Sequence, residues 1–209
     1  MNLKNRNLRW ELLILTSILL VLDQVFKIWV KTHFVLGEEV DMLGTWFKLH
    51  FTENNGMAWG LASDGGNVVK ILLTTFRIVA VSAIGWYIMR LLKQKASVGL
   101  LIAFTLIFCG ALGNIIDSIF YGRIFDESYL KVATLFPDGG GYAPLLQGKV
   151  VDMLYFPLFQ GHFPDWFPFW SGEHFEFFRP VFNLADSYIT IGVLLLIVFY
   201  KIIFPPRAS

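Results

Sequence analysis

Three aspartates lie inside apolar stretches of the sequence, where carboxylates are energetically costly and mark functional sites by default. They are Asp23, Asp117 and Asp186. At about 1.5 Å of rise per helical residue, each falls near the outer end of a predicted membrane helix. Asp152 lies in an apolar stretch, residues 149–154, that returns to the membrane at the same level. The sequence therefore predicts that four carboxylates share one pocket at the outer face.

The pattern Asn-x-x-Asp occurs twice, at Asn114/Asp117 and at Asn183/Asp186. In a helix, residues three apart project from one face, so each amide can orient or hydrogen-bond a carboxylate. Two carboxylates held close together do not both ionise easily. One keeps a proton while the other activates water, which is the chemistry of aspartic proteases. The structural alternative is that these acids cap helices or form polar contacts between them.

Other kinds of catalytic site find less support in the sequence. The four histidines form no His-Glu-x-x-His pattern, no Gly-x-Ser-x-Gly elbow occurs, and no cofactor or metal site is predicted. A single cysteine, Cys109, excludes an intramolecular disulfide and a Cys-rich metal site. A dyad of Ser118 and Lys149 remains an alternative. The net charge of +1, without a basic block, favours no nucleic-acid partner.

The composition is typical of a membrane protein. Hydrophobic residues make up 56% of the chain and charged residues only 16%, against about 25% charged in soluble domains. Four apolar windows are long enough to span a bilayer, at approximately 11–30, 68–92, 97–121 and 181–204. Gly110 and Gly113 leave room for close helix packing on the third. We expect one integral membrane domain, residues 1–209, all-α apart from a small outer β-containing region.

The charges predict the orientation of these spans. The link between spans two and three carries Arg90, Lys93 and Lys95 without an acid, and both termini are basic. By the positive-inside rule these segments are cytoplasmic. The connections at about 31–67 and 122–180 carry most of the acids and should lie outside.

Both outer connections contain recognisable patterns. Trp46 to Thr52 alternates like a strand and is followed by the turn residues Asn54, Asn55 and Gly56, which makes a small outer sheet plausible. Tyr155 to Phe178 is rich in aromatic residues. Aromatic rings favour the headgroup layer, so this segment is expected to lie along the outer membrane surface. The alternative is a buried cluster of aromatic loops.

Five short motifs occur in order along the chain. They are Asp23-Gln24 followed by Lys27, Asn54-Asn55-Gly56-Met57-Ala58-Trp59, Gly113-Asn114-Ile115-Ile116-Asp117, Val150-Val151-Asp152 and Phe182-Asn183-Leu184-Ala185-Asp186-Ser187. In this order, and together with the four predicted spans, they resemble the type II (lipoprotein) signal peptidases of bacteria over the whole chain. Each motif alone is weak, but five in order are highly specific.

The resemblance implies an intramembrane aspartyl endopeptidase of the bacterial inner membrane, with Asp152 and Asp186 as its catalytic residues. The residues implied to support the site or contact substrate are Asp23, Lys27, Asn54, Gly56, Asn114, Asp117 and Asn183. The implied reaction removes the signal peptide of a prolipoprotein immediately before a diacylglyceryl-modified cysteine. The implied partners are such precursors, membrane lipid and inhibitory cyclic peptides of the globomycin type.

The sequence departs from the family pattern in two respects. Ser118 stands where the family usually has Arg, and Arg123 and Arg77 are candidate replacements for that cation. For Arg77, simple snorkelling to the interface is the alternative. The segment 123–148 and the aromatic stretch after Asp152 are also longer than is usual in the family.

Two functions of other classes compete with a peptidase. A small transporter or proton-coupled carrier uses intramembrane acids as a relay, but a relay should cross the bilayer. Here the inner halves of the spans contain no acid beyond Glu11 at the boundary. A non-catalytic lipid-binding or assembly subunit explains the aromatic surface but leaves the two Asn-x-x-Asp pairs without a role.

Overall fold

The fold consists of apolar helices beneath a small antiparallel sheet. The computed structural model describes residues 8–55, 66–177 and 179–198. The helices are α1 (Leu8–Lys31), α2 (Gly66–Lys93), α3 (Val98–Ile116), α4 (Gly122–Ile124) and α5 (Leu184–Val198). The strands are β1 (Glu39–Leu43), β2 (Phe47–Asn54), β3 (Val150–Tyr155), β4 (Phe159–His162) and β5 (His174–Phe177). A π-helical turn, Asp117–Tyr121, joins α3 to α4.

Three of the four predicted spans are confirmed by helices long and apolar enough to cross a membrane: α1, α2, and α3 continued to Ile124. Each begins and ends within a few residues of the predicted window. The predicted fourth span begins with α5, whose described part has 15 residues. The rest of that window lies outside the described residues.

Small residues let α3 and α5 approach closely. A Cβ added to Gly110 would lie 2.1 Å from the Ala185 carbonyl oxygen, and one added to Gly192 would lie 2.7 Å from the Ala103 carbonyl oxygen. Real Cβ atoms do not come that near, so these positions need glycine. The predicted room for close packing on the third span is therefore confirmed. It brings the first turn of α5 beside the C-terminal half of α3.

The sheet places β3 between β2 and the segment that leads into α5. The strand order is β1-β2-β3, with Thr52 opposite Asp152 in the antiparallel β2–β3 pair. On the other side of β3, the Leu154 amide donates to the Phe182 carbonyl at 2.7 Å, and the Phe182 amide donates back at 3.0 Å. The predicted small sheet is present. The apolar stretch that was expected to return to the membrane is its strand β3.

A hydrophobic core lies beneath this sheet and fixes it on the helices. Its fully buried members include Val30 at the end of α1, Phe51 on β2, Val151 and Met153 on β3, and Phe125 after α4. Alternating residues of a strand face opposite sides of the sheet. Val151 and Met153 therefore anchor β3 in this core, and the intervening Asp152 is directed to the other side.

The aromatic segment forms a hairpin between β3 and α5. Strands β4 and β5 pair antiparallel, and the Phe163 ring stacks with Phe167 at 5.1 Å between centroids. Other rings of the hairpin point to the outside: Trp166 is 79% exposed and Phe169 78%. A cluster of loops with all its rings buried does not describe this segment.

Gly113 offers a direct test of the packing between α1, α3 and α5. A Cβ there would lie 2.6 Å from Asp23 Oδ2 and 3.2 Å from the Ala185 Cβ. Gly113→Ala is expected to lower the free energy of unfolding by about 1–3 kcal/mol, the usual cost of overpacking. Thermal unfolding in detergent measures it. Gly139→Ala is the control because nothing lies within 4 Å of its added Cβ, and an equal effect of both would contradict the packing.

Candidate active site

The centre of the site is an ion cluster beneath the sheet. The Lys27 ammonium lies 3.1 Å from Asp23 Oδ2 and 2.8 Å from Asp117 Oδ2, and all three side chains are buried. The Gln24 amide donates to Asp23 at 3.1 Å and to Asp117 at 2.9 Å. Charges removed from water must be paired and hydrogen-bonded. Here one cation and one amide serve two carboxylates.

Each of these two carboxylates also accepts a hydrogen bond from the backbone of another element. Asp23 Oδ1 accepts a hydrogen bond from the Ala185 amide at 3.0 Å, in the first turn of α5. Asp117 Oδ2 accepts one from the Val151 amide at 3.3 Å, on β3. Asp23 and Asp117 thus fix the two elements that carry Asp186 and Asp152.

Two asparagines connect the ion cluster to the other pair of acids. The Asn114 oxygen accepts from Lys27 at 2.8 Å, and its amide donates to Asp186 Oδ1 at 2.8 Å. The Asn183 amide donates to Asp152 Oδ1 at 2.6 Å and to the Asn114 oxygen at 3.1 Å. The structure thereby connects the four predicted acids through one hydrogen-bond network.

The second Asn-x-x-Asp motif is a capping box. The Asn183 side-chain oxygen accepts from the Asp186 amide at 2.9 Å, and Asp186 Oδ2 accepts from the Asn183 amide at 3.3 Å. The two residues satisfy backbone donors at the start of α5. The structural interpretation of this motif is therefore correct. Asp186 nevertheless belongs to the site as well, because its Oδ1 accepts a hydrogen bond from the Asn114 side-chain amide and the residue lines a cavity.

Asp152 and Asp186 face one cavity of about 380 Å³. Its other lining residues come mainly from α2 and α3, and are Asn54, Arg77, Ala80, Val81, Ile84, Ala111, Asn114, Ile115, Val150 and Ile189. Burial and the neighbouring charge of Asp186 raise the pKa of Asp152 to about 7, although the charge of Lys27 and hydrogen bonds from Asn183 and Asn54 oppose the shift. Near neutral pH, a substantial fraction of Asp152 is therefore protonated.

The Ser118/Lys149 dyad considered from the sequence is wrong. The Ser118 hydroxyl is buried and donates to the Asn114 carbonyl at 2.9 Å. The Lys149 ammonium instead lies 3.1 Å from Glu53. Their partners differ, so Lys149 does not activate Ser118.

The structure distinguishes between the two candidate replacements for the missing cation. Arg123 is exposed and is not among the residues that line the cavity, whereas Arg77 lines it beside Asp186.

Gly56, predicted to support the site, lies outside the described residues. Asn54, at the end of β2, lines the cavity. In the described part of the chain, no three His, Cys, Asp or Glu side chains are grouped to hold a metal ion.

Comparison with known proteins identifies the family. A family model described as signal peptidase (SPase) II matches residues 15–202, which is most of the chain. The chain belongs to the signal peptidase II family. Signal peptidases II are aspartic peptidases, so the chain is an enzyme of that class.

Two curated relatives agree with this assignment, and a solved structure shares the fold. The lipoprotein signal peptidase of Porphyromonas gingivalis is 51% identical over 187 residues, covering 89% of this chain and 80% of that protein. The lipoprotein signal peptidase of Amoebophilus asiaticus is 42% identical over 193 residues, covering 90% and 76%. A bacterial membrane enzyme solved by the in meso method has the same fold, with a TM-score of 0.58 at 22% identity, covering 95% and 93%.

Two members of the polar network were not singled out as site residues from the sequence. Gln24 bridges Asp23 and Asp117, and the Tyr121 hydroxyl donates to the Gln24 oxygen at 3.2 Å. Gln24 follows Asp23 in the first motif of this signal peptidase II sequence, which is the signal that could have found it. Tyr121 lies in the π-helical turn, and such turns often occur at functional sites but have no clear sequence pattern.

Proposed function

We propose that this protein removes the signal peptide from prolipoproteins by cleaving immediately before a diacylglyceryl-modified cysteine. Asp152 and Asp186 activate water and stabilise the transition state. The observation that carries the proposal is that two carboxylates from different elements, β3 and α5, line one cavity that is otherwise largely apolar. The names of the relatives, lipoprotein signal peptidases, support the substrate class.

The mechanism follows the logic of a carboxylate pair. One carboxylate takes a proton from water as the water oxygen attacks the scissile carbonyl, and the protonated carboxyl donates to the developing oxyanion. The C–N bond then breaks, and the base returns its proton to the leaving amine. The raised pKa of Asp152 supports such a division, because it supplies a protonated carboxyl close to neutral pH.

The remaining predicted site residues divide into two groups. Asp23, Lys27 and Asp117 act through the backbone of α5 and β3, which their contacts hold in place. Three amides, Asn54, Asn114 and Asn183, act directly on the pair of acids. Gly56 belongs to neither group and stays a residue predicted to support the site or contact substrate.

We place this site at the outer face of the bacterial inner membrane, in one domain with four spans and both termini in the cytoplasm. Helix α5, about 22 Å long at 1.5 Å per residue, supplies the beginning of the fourth span, and apart from Lys201 the sequence stays apolar to Phe204. The exposed rings of the aromatic hairpin, such as Trp166 and Phe169, lie in the outer headgroup layer. Cyclic peptides of the globomycin type should compete with substrate for the cavity.

The distribution of acids argues against the transport alternative. In the described helices, Asp23, Asp117 and Asp186 belong to one network, and Glu11 at the start of α1 is the remaining acid. Proton transfer across a bilayer needs groups at successive depths. The spacing between Glu11 and Asp23, 12 residues or about 18 Å, contains no acid on α1.

Dependence on the lipid tests the proposal. Purified protein is incubated with a diacylglyceryl-modified precursor and with its unlipidated twin. The acyl chains hold the precursor at the level of the site, so remote binding energy positions the scissile bond. The unlipidated precursor is expected to be cleaved at least about a hundredfold more slowly. Mass spectrometry of the product identifies the cleaved bond, and equal turnover of the two precursors contradicts the proposed substrate.

A further inference from the structure

Arg77 is the one basic side chain among the described residues that line the cavity. It lies on α2, about three turns from the start of that helix, and is half-buried. Its positive charge interacts with the carboxylate of Asp186. Snorkelling alone would direct the guanidinium to the interface, whereas here it forms part of the wall of a cavity that holds two acids.

The charged groups near Asp186 differ from those near Asp152. The charged groups near Asp186 are Asp23 and Lys27 on α1, Arg77 on α2, Asp117 after α3 and Asp152 on β3. Lys27 already pairs with Asp23 and Asp117 at 3.1 and 2.8 Å. Arg77 therefore supplies the positive charge that Asp186 faces within the cavity.

The hydrogen bonds to the two carboxylates also favour Asp186 as the ionised member of the pair. The Asp186 carboxylate accepts from the Asn114 side chain at 2.8 Å and from the Asn183 backbone amide at 3.3 Å. Donors and an opposite charge both favour the ionised form of a carboxylate. Asp152 accepts from Asn183 and Asn54 and is also near the Lys27 charge, but its burial and the adjacent Asp186 charge outweigh these interactions.

We propose that Arg77 is a positioning residue that keeps Asp186 ionised, so that Asp186 is the base of the pair and Asp152 carries the proton. This rests on the proposed function. Water then gives its proton to Asp186 as its oxygen bonds to the carbonyl carbon, and the Asp152 hydroxyl donates to the oxyanion. When the C–N bond breaks, the proton passes from Asp186 to the leaving amine, and Asp152 retains its own.

Kinetics of Arg77→Gln and Arg77→Lys test this role with a lipidated precursor. In Arg77→Gln, loss of the cation favours protonation of the base, so the acid limb of the kcat–pH profile should move up by about one pH unit. At pH values on the acid side of the limb, kcat of Arg77→Gln should be roughly tenfold lower than that of the wild type, with KM changed by less than about threefold. Arg77→Lys should retain the wild-type limb. Arg90→Gln, a cation on the same helix that stacks on Trp86, is the matched control and should leave the profile unchanged.

An unmoved acid limb in folded Arg77→Gln, or an effect on KM alone, overturns the proposal. So does Arg77→Lys behaving like Arg77→Gln. Infrared spectroscopy of the substrate-free wild type gives a second measurement should the Arg77 variants not fold. The component of the protonated-carboxyl stretch that titrates near pH 7 should disappear in Asp152→Asn, and its persistence there overturns the assignment of the proton. Because this measurement needs no substrate, its failure is distinct from failure to cleave lipidated precursors.

Discussion

Asp152→Asn and Asp186→Asn are each expected to reduce single-turnover cleavage of a lipidated precursor by about 10⁴-fold or more. General acid–base catalysis alone is typically worth about 10²–10⁴-fold, and an amide can neither take the proton of water nor act as the carboxylic acid. Both side chains line the cavity, so a binding measurement with the same precursor should still detect the substrate.

The double variant distinguishes a working pair from two independent contributions. Residues that act as a unit have non-additive effects, so the double variant should be scarcely slower than either single variant. Asp41→Asn is a suitable control, since that aspartate is exposed on β1 and pairs with Lys48 at 3.4 Å. If the two losses multiply, Asp152 and Asp186 do not act together.

Lys27→Met is expected to cause the largest loss of stability of any single change in the network. It leaves Asp23 and Asp117 buried without the ammonium that both contact. Removing one partner of a buried ion pair typically costs about 3–5 kcal/mol, and here two carboxylates lose the same partner. The yield of monodisperse protein and its thermal midpoint in detergent measure the effect.

Two further variants control for charge and for burial. Lys131→Met removes an exposed lysine that pairs with Asp126 at 2.6 Å, and should change the free energy of unfolding by less than about 1 kcal/mol. Adding Asp117→Asn to Lys27→Met removes one of the stranded charges and should restore part of the lost stability. A Lys27→Met protein as stable as the wild type would contradict the description of the cluster.

Several features of the site could be predicted because they depend on local patterns. Helical rise placed Asp23 and Asp117 at one depth, and the structure joins them through Lys27. Helical periodicity placed Asn114 and Asp117 on one face, and both contact Lys27. Hydropathy alone found the three spans, with small differences at their ends.

Other features depend on contacts between distant segments. Asp152 was expected in a segment that returns to the membrane, but pairing with β2 and with Phe182 makes it part of a strand. No local pattern determines that β3 lies between those two segments. Arg77 and Arg123 were equivalent candidates in the sequence, and packing of α2 against α3 turns only Arg77 into the cavity.

The central claim is that the four acids divide into a reacting pair and a positioning pair. The most direct test is single-turnover cleavage, per folded molecule, by the four purified Asp→Asn variants. Asp23→Asn and Asp117→Asn should fold in lower yield, since these acids hold α5 and β3, yet their folded fractions should cleave measurably. Asp152→Asn and Asp186→Asn should fold and fail to cleave. Substantial cleavage by either of these two would remove that residue from the reacting pair. Activity lost only in Asp23→Asn and Asp117→Asn would contradict the account and move the chemistry to the first and third spans.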